Sequence, residues 1–250
     1  MRIPGALTFF VTAVSLAAQI HLPGTGGGAP KTPKPAGQSS SAPAASAPAS
    51  APAAKKTPPG TAGSFDYYLL SLSWSPNFCA DPSKAAANPR ECATGKNITF
   101  AVHGLWPESN DGANPENCAG SKSVPGGIVK SMLPYMFSAD LVRHEWATHG
   151  TCSGLDQKAY FTGILQARTS VQIPVQITSL DAETAESPAQ IEQQFEGANT
   201  GFPAGAFRID CKSGALAEVR VCFDKNLNPQ QCAKSAGECT DAVVRVLPVR

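Results

Sequence analysis

The chain has 250 residues, of which 42% are hydrophobic and 16% charged, with 20 Lys and Arg against 19 Asp and Glu. The near-neutral balance hides a split: Arg2, Lys31, Lys34, Lys55 and Lys56 precede residue 63 while every acidic residue follows it, so the remainder carries 15 basic against 19 acidic residues, a net −4. An acidic domain of this kind is excluded as a general binder of nucleic-acid backbones, which are held by neutralising phosphates; a polyanionic substrate would need a few cationic groups in a cleft.

In chain order, residues 1–18 (MRIPGALTFFVTAVSLAA) have a basic start at Arg2 and an apolar run over 6–18. Small residues close the run, the pattern of a secretory signal peptide. The run falls short of the roughly 20 apolar residues that a membrane span needs. Residues 19–63 are almost entirely Pro, Ala, Ser, Gly, Thr and Lys, with no aromatic residue. Such a segment has no apolar face to repay ordering and reads as a disordered, extended linker. The globular part is then 64–250, long enough for one domain with a core of its own.

Within it, FDYYLLSLSWSP (65–76) predicts a first strand ended by Pro76, and ITFAVHGLWPE (98–108) a second strand running into a Gly-Leu-Trp-Pro turn. Helices are expected over 126–137, over 138–152 with Ser138 as cap and Gly150 as stop, over 156–169, and over 187–198 with Pro188 in the first turn. Segments 206–212, 215–224 and 241–249 alternate like antiparallel strands. Strands at both ends with helices between predict an α+β fold, a central antiparallel sheet packed with several helices.

All eight cysteines, Cys79, Cys92, Cys118, Cys152, Cys211, Cys222, Cys232 and Cys239, fall in the globular part. An even count behind an export signal implies four disulfides in an oxidising compartment. None forms a Cys-x-x-Cys pair, so zinc clusters and thioredoxin-type chemistry are disfavoured. Spacing alone leaves about 100 pairings open.

Two stretches carry the chemistry: HGLWPE at 103–108 and HEWATHGTC at 144–152. His-Glu on a helix with a second His close behind invites a zinc reading, but zincins place the second His at i+4. Here it is at i+5, and in regular helix His144 and His149 would point roughly 140° apart. Glu145 and His149 are the i, i+4 pair, so Glu145 is expected to orient or charge-tune His149. No metal is therefore expected. Outside His21, the histidines are His103, His144 and His149, all in these two stretches. Paired imidazoles titrate near neutrality and serve as base and acid together. The set suits cleavage of a phosphodiester beside a 2′-hydroxyl, with cationic groups on the crowded phosphorane. Taken alone, His103 reads equally as a hydrogen-bonded core histidine, Trp74 and Trp146 as core, and Glu145 as a solvated helix charge.

HGLWPE and HEWATHGTC resemble the two active-site signatures of the ribonuclease T2 family, and LSWSPNFC at 72–79 resembles its first-strand segment. The resemblance spans 65–250 and implies roles position by position. His103 would be general acid, His149 general base, His144 the phosphate holder, and Glu145 a support for the transition state. Trp106 would stack on a base or shape the cleft, and Glu108 would lie at the base-recognition edge. Thr148 stands where many members have Lys; it offers a neutral hydrogen bond in place of a charge, and His144 or Arg143 would have to compensate. The family pattern also implies the pairs Cys79–Cys92, Cys118–Cys152, Cys211–Cys239 and Cys222–Cys232.

The resemblance implies a metal-independent, cofactor-free endoribonuclease acting on single-stranded RNA through a 2′,3′-cyclic phosphate to a 3′-phosphate. DNA, lacking the attacking hydroxyl, would resist. The enzyme is expected to be a monomer, secreted or periplasmic, with no membrane role beyond export. The rival reading is a catalytically weakened secreted member that acts by binding, and Thr148 is the feature in its favour.

Overall fold

The computed structural model describes residues 60–249. The signal peptide expected over 1–18 and the linker up to residue 59 lie outside them. Residues 60–63, expected as the tail of the linker, hydrogen-bond to the domain: Gly60 N–H donates to the Glu116 carbonyl (2.9 Å) and Gly63 N–H to that of Cys152 (2.8 Å).

The strands are β1 (Tyr67–Trp74), β2 (Phe100–Glu108), β3 (Thr184–Glu186), β4 (Phe207–Lys212), β5 (Ala215–Phe223) and β6 (Val244–Val246). The helices are α1 (Ser75–Phe78), α2 (Pro82–Ala87), α3 (Pro89–Cys92), α4 (Gly126–Met136), α5 (Ala139–Thr148), α6 (Gln157–Ser170), α7 (Val175–Thr178) and α8 (Pro188–Ala198). The sheet runs β2-β1-β5-β6-β3, with β4 also paired to β5. All pairs are antiparallel except a single β5–β6 contact. The fold is α+β, as the sequence predicts. Among the described residues no helix is long and apolar enough to cross a membrane.

Period-2 alternation divides the sheet into two working faces. On one, Leu70, Leu72 and Trp74 of β1, Phe100 and Val102 of β2, and Val219, Val221 and Phe223 of β5 join the main core beneath α4, α5, α6 and α8. On the other, Tyr67 and Leu69 pack with Cys222, Cys232 and the edge of Trp106. Burying one large apolar side chain contributes about 1.5–3 kcal/mol, so the main core fixes the register of the strands that carry polar groups on the opposite face.

The second strand does not turn at Gly-Leu-Trp-Pro; it continues to Glu108, with Pro107 opposite Tyr68. Pro is tolerated there because β2 is an edge strand of this sheet and Pro107 can turn its missing donor outward. One residue of β2 has no place in the ladder. Ser71 faces Gly104 and Leu72 faces Val102, leaving His103 as the extra residue of a β-bulge. The short strand β3 was not legible in the sequence, since three residues are too few to show alternation.

Helix α5 begins as expected, with Ser138 Oγ accepting from Leu141 N–H (3.3 Å). It stops at Thr148, earlier than the expected 152, and a 3₁₀ turn follows over Gly150–Cys152. Its last carbonyls find partners outside the helix. Asn117 N–H donates to Thr148 O (2.7 Å) and Lys122 Nζ to Ala147 O (2.5 Å), meeting the need of every helix end. The disulfide Cys118–Cys152 holds that loop against the turn. All four disulfide pairs are those implied by the family pattern.

Candidate active site

The bulge on β2 and the end of α5 bring the two motifs together. A bulge re-aims a side chain, and His103 turns to the polar face of the sheet with its imidazole about one-third exposed (36%). Gly104 follows because no larger residue fits: a Cβ there would land inside the Glu145 carboxylate and against Trp106 Nε1. The glycine of HGLWPE is thus the opening through which Glu145, wholly buried on α5, reaches the sheet.

Glu145 Oε2 accepts from Trp106 Nε1–H at 2.8 Å. Among the described residues its Oε1 has no hydrogen-bond partner; it lies 3.8 Å from His103 Nε2, within ion-pair range but beyond a hydrogen bond. Burial pushes the Glu145 carboxyl up to about 7, against the opposing pull of His103 and the Trp106 hydrogen bond.

Trp106 is the hub. Its ring centroid lies 5.1 Å from that of His103, edge-on at 80°, and 5.3 Å from that of His149, tilted at 32°. His144 lies 6.5 Å from His149, ring to ring. Regular helix would have splayed these two apart. His149 is the C-cap of α5, its N–H still bonded to the Glu145 carbonyl (3.0 Å) at φ −109°. The expected Glu145–His149 side-chain pairing is not formed: the Glu145 carboxylate engages Trp106 and His103 instead.

The two imidazoles flanking Trp106 are tuned in opposite senses. Burial lowers His149 to about 4, helped by the neighbouring charges of His144 and His103. Burial also opposes the charge on His103, but the hydrogen bond and charge of Glu218 and the charge of Glu145 outweigh it, and its pKa is raised.

Glu218, on β5, was not foreseen, nor was Arg220 two residues on. Glu218 Oε1 lies 2.5 Å from His103 Nδ1, and Arg220 Nε and Nη2 donate to Glu218 Oε2 at 3.2 and 3.1 Å. Arg220 also stands 5.8 Å from the Trp106 ring centre. The signal in the sequence was weak: Glu218 and Arg220 alternate with Val219 and Val221 as any solvent-facing strand residues would. Arg143, expected as a compensating cation, instead pairs with Asp140 at the exposed start of α5 (3.1 Å). Arg220 is the arginine beside His103 and Trp106.

His103, Trp106, Glu218 and Arg220 line a cleft of about 830 Å³ shared with Met136, Leu141, Lys212 and Arg245. Glu108, His144, Glu145, Thr148 and His149 are not part of that lining. Glu108 ends β2 buried (7% exposed), and burial raises its carboxyl to about 7. Thr148 is half-buried beside His149, its carbonyl taken by Asn117. Trp74 and Trp146 are core residues.

Known proteins are similar to this chain in sequence and in fold. The sequence profile of the Ribonuclease T2 family matches residues 65–232. Ribonuclease DdI of Dictyostelium discoideum is 29% identical over 195 residues, 72% of this chain and 84% of that protein. A ribonuclease of Aeromonas hydrophila is 34% identical over 170 residues, 66% of this chain and 75% of its own length. Among solved structures, an RNase-related protein from Calystegia sepium superposes with a TM-score of 0.59 at 27% identity, covering 73% of this chain and 97% of its own.

Proposed function

The chain belongs to the ribonuclease T2 family and is an endoribonuclease, and from that premise we propose that it cleaves single-stranded RNA without a metal, by transphosphorylation through a 2′,3′-cyclic phosphate to a 3′-phosphate. The observation that carries the reading is the opposite tuning of the two imidazoles on either side of Trp106.

His149, kept neutral down to about pH 4, takes the proton of the 2′-hydroxyl as general base. His103, kept protonated by its carboxylate neighbours, gives its proton to the departing 5′-oxygen as general acid. His144, exposed next to His149, meets the phosphate. Glu145, whose Oε1 is unpartnered, acts on the phosphorane, and Trp106 supplies an aromatic face for an unpaired base. The nucleophile is the substrate's own hydroxyl, so the first step consumes no water and needs no metal-bound hydroxide. Slow hydrolysis of the cyclic phosphate then runs the proton transfers in reverse. DNA lacks the hydroxyl and is not cut. The four disulfides fit a secreted or periplasmic monomer.

The test is cleavage of a mixed-sequence RNA in excess EDTA by the oxidised protein, with cyclic-phosphate ends followed over time. Metal-independent cleavage with cyclic ends, lost in His103→Ala, is expected. Absence of cleavage between pH 4 and 8 would overturn the reading in favour of a member that acts by binding.

A further inference from the structure

His103 is held by more than its own motif. Glu218 is only 8% exposed, and its carboxyl sits at about 2: burial works against ionisation, but the His103 hydrogen bond and charge, then Arg220, overcome it. A carboxylate at every working pH can only accept hydrogen bonds. The His103 nitrogen 2.5 Å from it, Nδ1, must therefore carry a hydrogen and donate. That leaves Nε2 as the nitrogen whose proton is exchangeable.

Glu218 is itself clamped. Two nitrogens of Arg220 hold its second oxygen, a third donates to the Ala236 carbonyl (3.1 Å), and Arg220 Nη2 also lies 3.4 Å from Asp210. Gly237 lets the guanidinium in: a Cβ there would stand 2.6 Å from Nη1, and its φ of +81° suits glycine. Strand β5 is central, paired to β1 on one side and β4 on the other, so the clamp is built on a strand hydrogen-bonded along both edges.

We propose that Glu218, clamped by Arg220, is the positioning residue for His103, fixing the ring with Nδ1–H bound so that Nε2 carries the proton delivered to the leaving oxygen. The inference rests on the reading of His103 as general acid. In that step the P–O5′ bond breaks, its electron pair stays on O5′, and the Nε2 proton joins it, leaving a neutral imidazole still donating from Nδ1. The charged and titratable groups facing His103 are Glu218 and Arg220 from β5, Glu145 and His149 from α5 and its end, and Glu91 from α3. Glu218 is the only one of these hydrogen-bonded to the ring among the described residues.

The experiment compares wild type, His103→Ala, Glu218→Gln and Glu218→Asp on two substrates. One is a dinucleotide with an alkoxide leaving group. The other is uridine 3′-(4-nitrophenyl phosphate), whose phenolate departs without protonation. The His103 ring nitrogens are followed by ¹⁵N NMR. His103→Ala should fail on the dinucleotide and largely recover on the aryl ester; if it fails equally on both, the general-acid reading itself is wrong. Glu218→Gln should lose on the order of 10–100-fold in kcat on the dinucleotide, with KM and the aryl-ester rate nearly unchanged. Its His103 pKa should fall, its basic rate limb should move to lower pH, and Glu218→Asp should restore part of each. If His103→Ala shows the acid signature while both Glu218 variants keep the native tautomer and pKa, the inference is overturned and the reading stands. Equal loss on both substrates by folded Glu218 variants would likewise overturn it, because that is the mark of a merely structural residue. Should Glu218→Gln not fold, the same readouts on Glu218→Asp and Arg220→Lys decide, with a smaller loss in the same direction expected and unchanged NMR signals overturning the inference.

Discussion

The two ends of the site are built on different principles. At the strand end, His103 sits among formal charges: Glu218 at its Nδ1, Glu145 beyond its Nε2, and Arg220 balancing the pair. At the helix end, no carboxylate pairs with His149, and its surroundings are burial, an indole and a second imidazole. Carboxylates favour imidazolium, whereas burial and neighbouring cations favour neutral imidazole. One residue type is thereby tuned toward the charged form on one side of Trp106 and toward the neutral form on the other, as the proposed acid and base require. Roles follow from surroundings that lie far apart in the chain, not from the motif letters.

The most severe way to break this contrast is to remove either imidazole. His103→Ala and His149→Ala should each cost on the order of 10²–10⁴ in RNA cleavage, measured as initial rates on a defined oligonucleotide. Gly104→Ala comes next. Its Cβ displaces the Glu145 carboxylate, and a loss of roughly 10²-fold in kcat is expected, with a lowered Tm by calorimetry; an active, native-stability variant would mean that Glu145 is not needed where it is. The pH–rate profile then sharpens the comparison without any mutation. The base must be neutral, so the rate should rise through about pH 4 with His149. The acid must be protonated, so the rate should fall only above the ordinary histidine range, where the raised pKa of His103 lies. A profile with both limbs below 6 would contradict the Glu218 and Glu145 contributions. The smallest effect concerns Thr148→Lys. If Arg220 beside Trp106 and His144 beside His149 supply charge to the phosphate as proposed, added charge should raise kcat by about tenfold, short of the 10²–10³ expected where nothing stands in for a missing charged donor; steady-state kinetics on the same oligonucleotide checks it.

What was legible in the sequence is what is local. The apolar run of β1, the alternation of β4 and β5, the Ser138 cap of α5 and the Pro188 start of α8 follow from neighbours within four residues. The three histidines announced themselves by clustering in two stretches, and the four disulfides came with the family pattern those stretches carry. The rest depends on long-range meetings. Glu218 lies 115 positions from His103, and no local pattern says which residue of an alternating strand will find an imidazole across β1. The end of α5 at Thr148 is equally non-local, since Asn117 and Lys122 take the carbonyls that would have continued it. The failure of the expected Glu145–His149 pairing is non-local too, because Trp106 and His103 of β2 take the carboxylate. The expected Gly-Leu-Trp-Pro turn is replaced by strand through Pro107 to Glu108, because on an edge strand a proline need not end the ladder.

The bulge at His103 has an arithmetic of its own. Val102 faces Leu72 and Gly104 faces Ser71, so the ladder on either side closes in step as if His103 were absent from the count. Excising that single residue would leave every remaining side chain of β2 on its present face and turn an irregular ribbon into a regular one. The sheet, in other words, does not require the imidazole that the proposed mechanism does. The imidazole is an insertion into an otherwise finished scaffold, and a chain lacking it should still fold, merely silent.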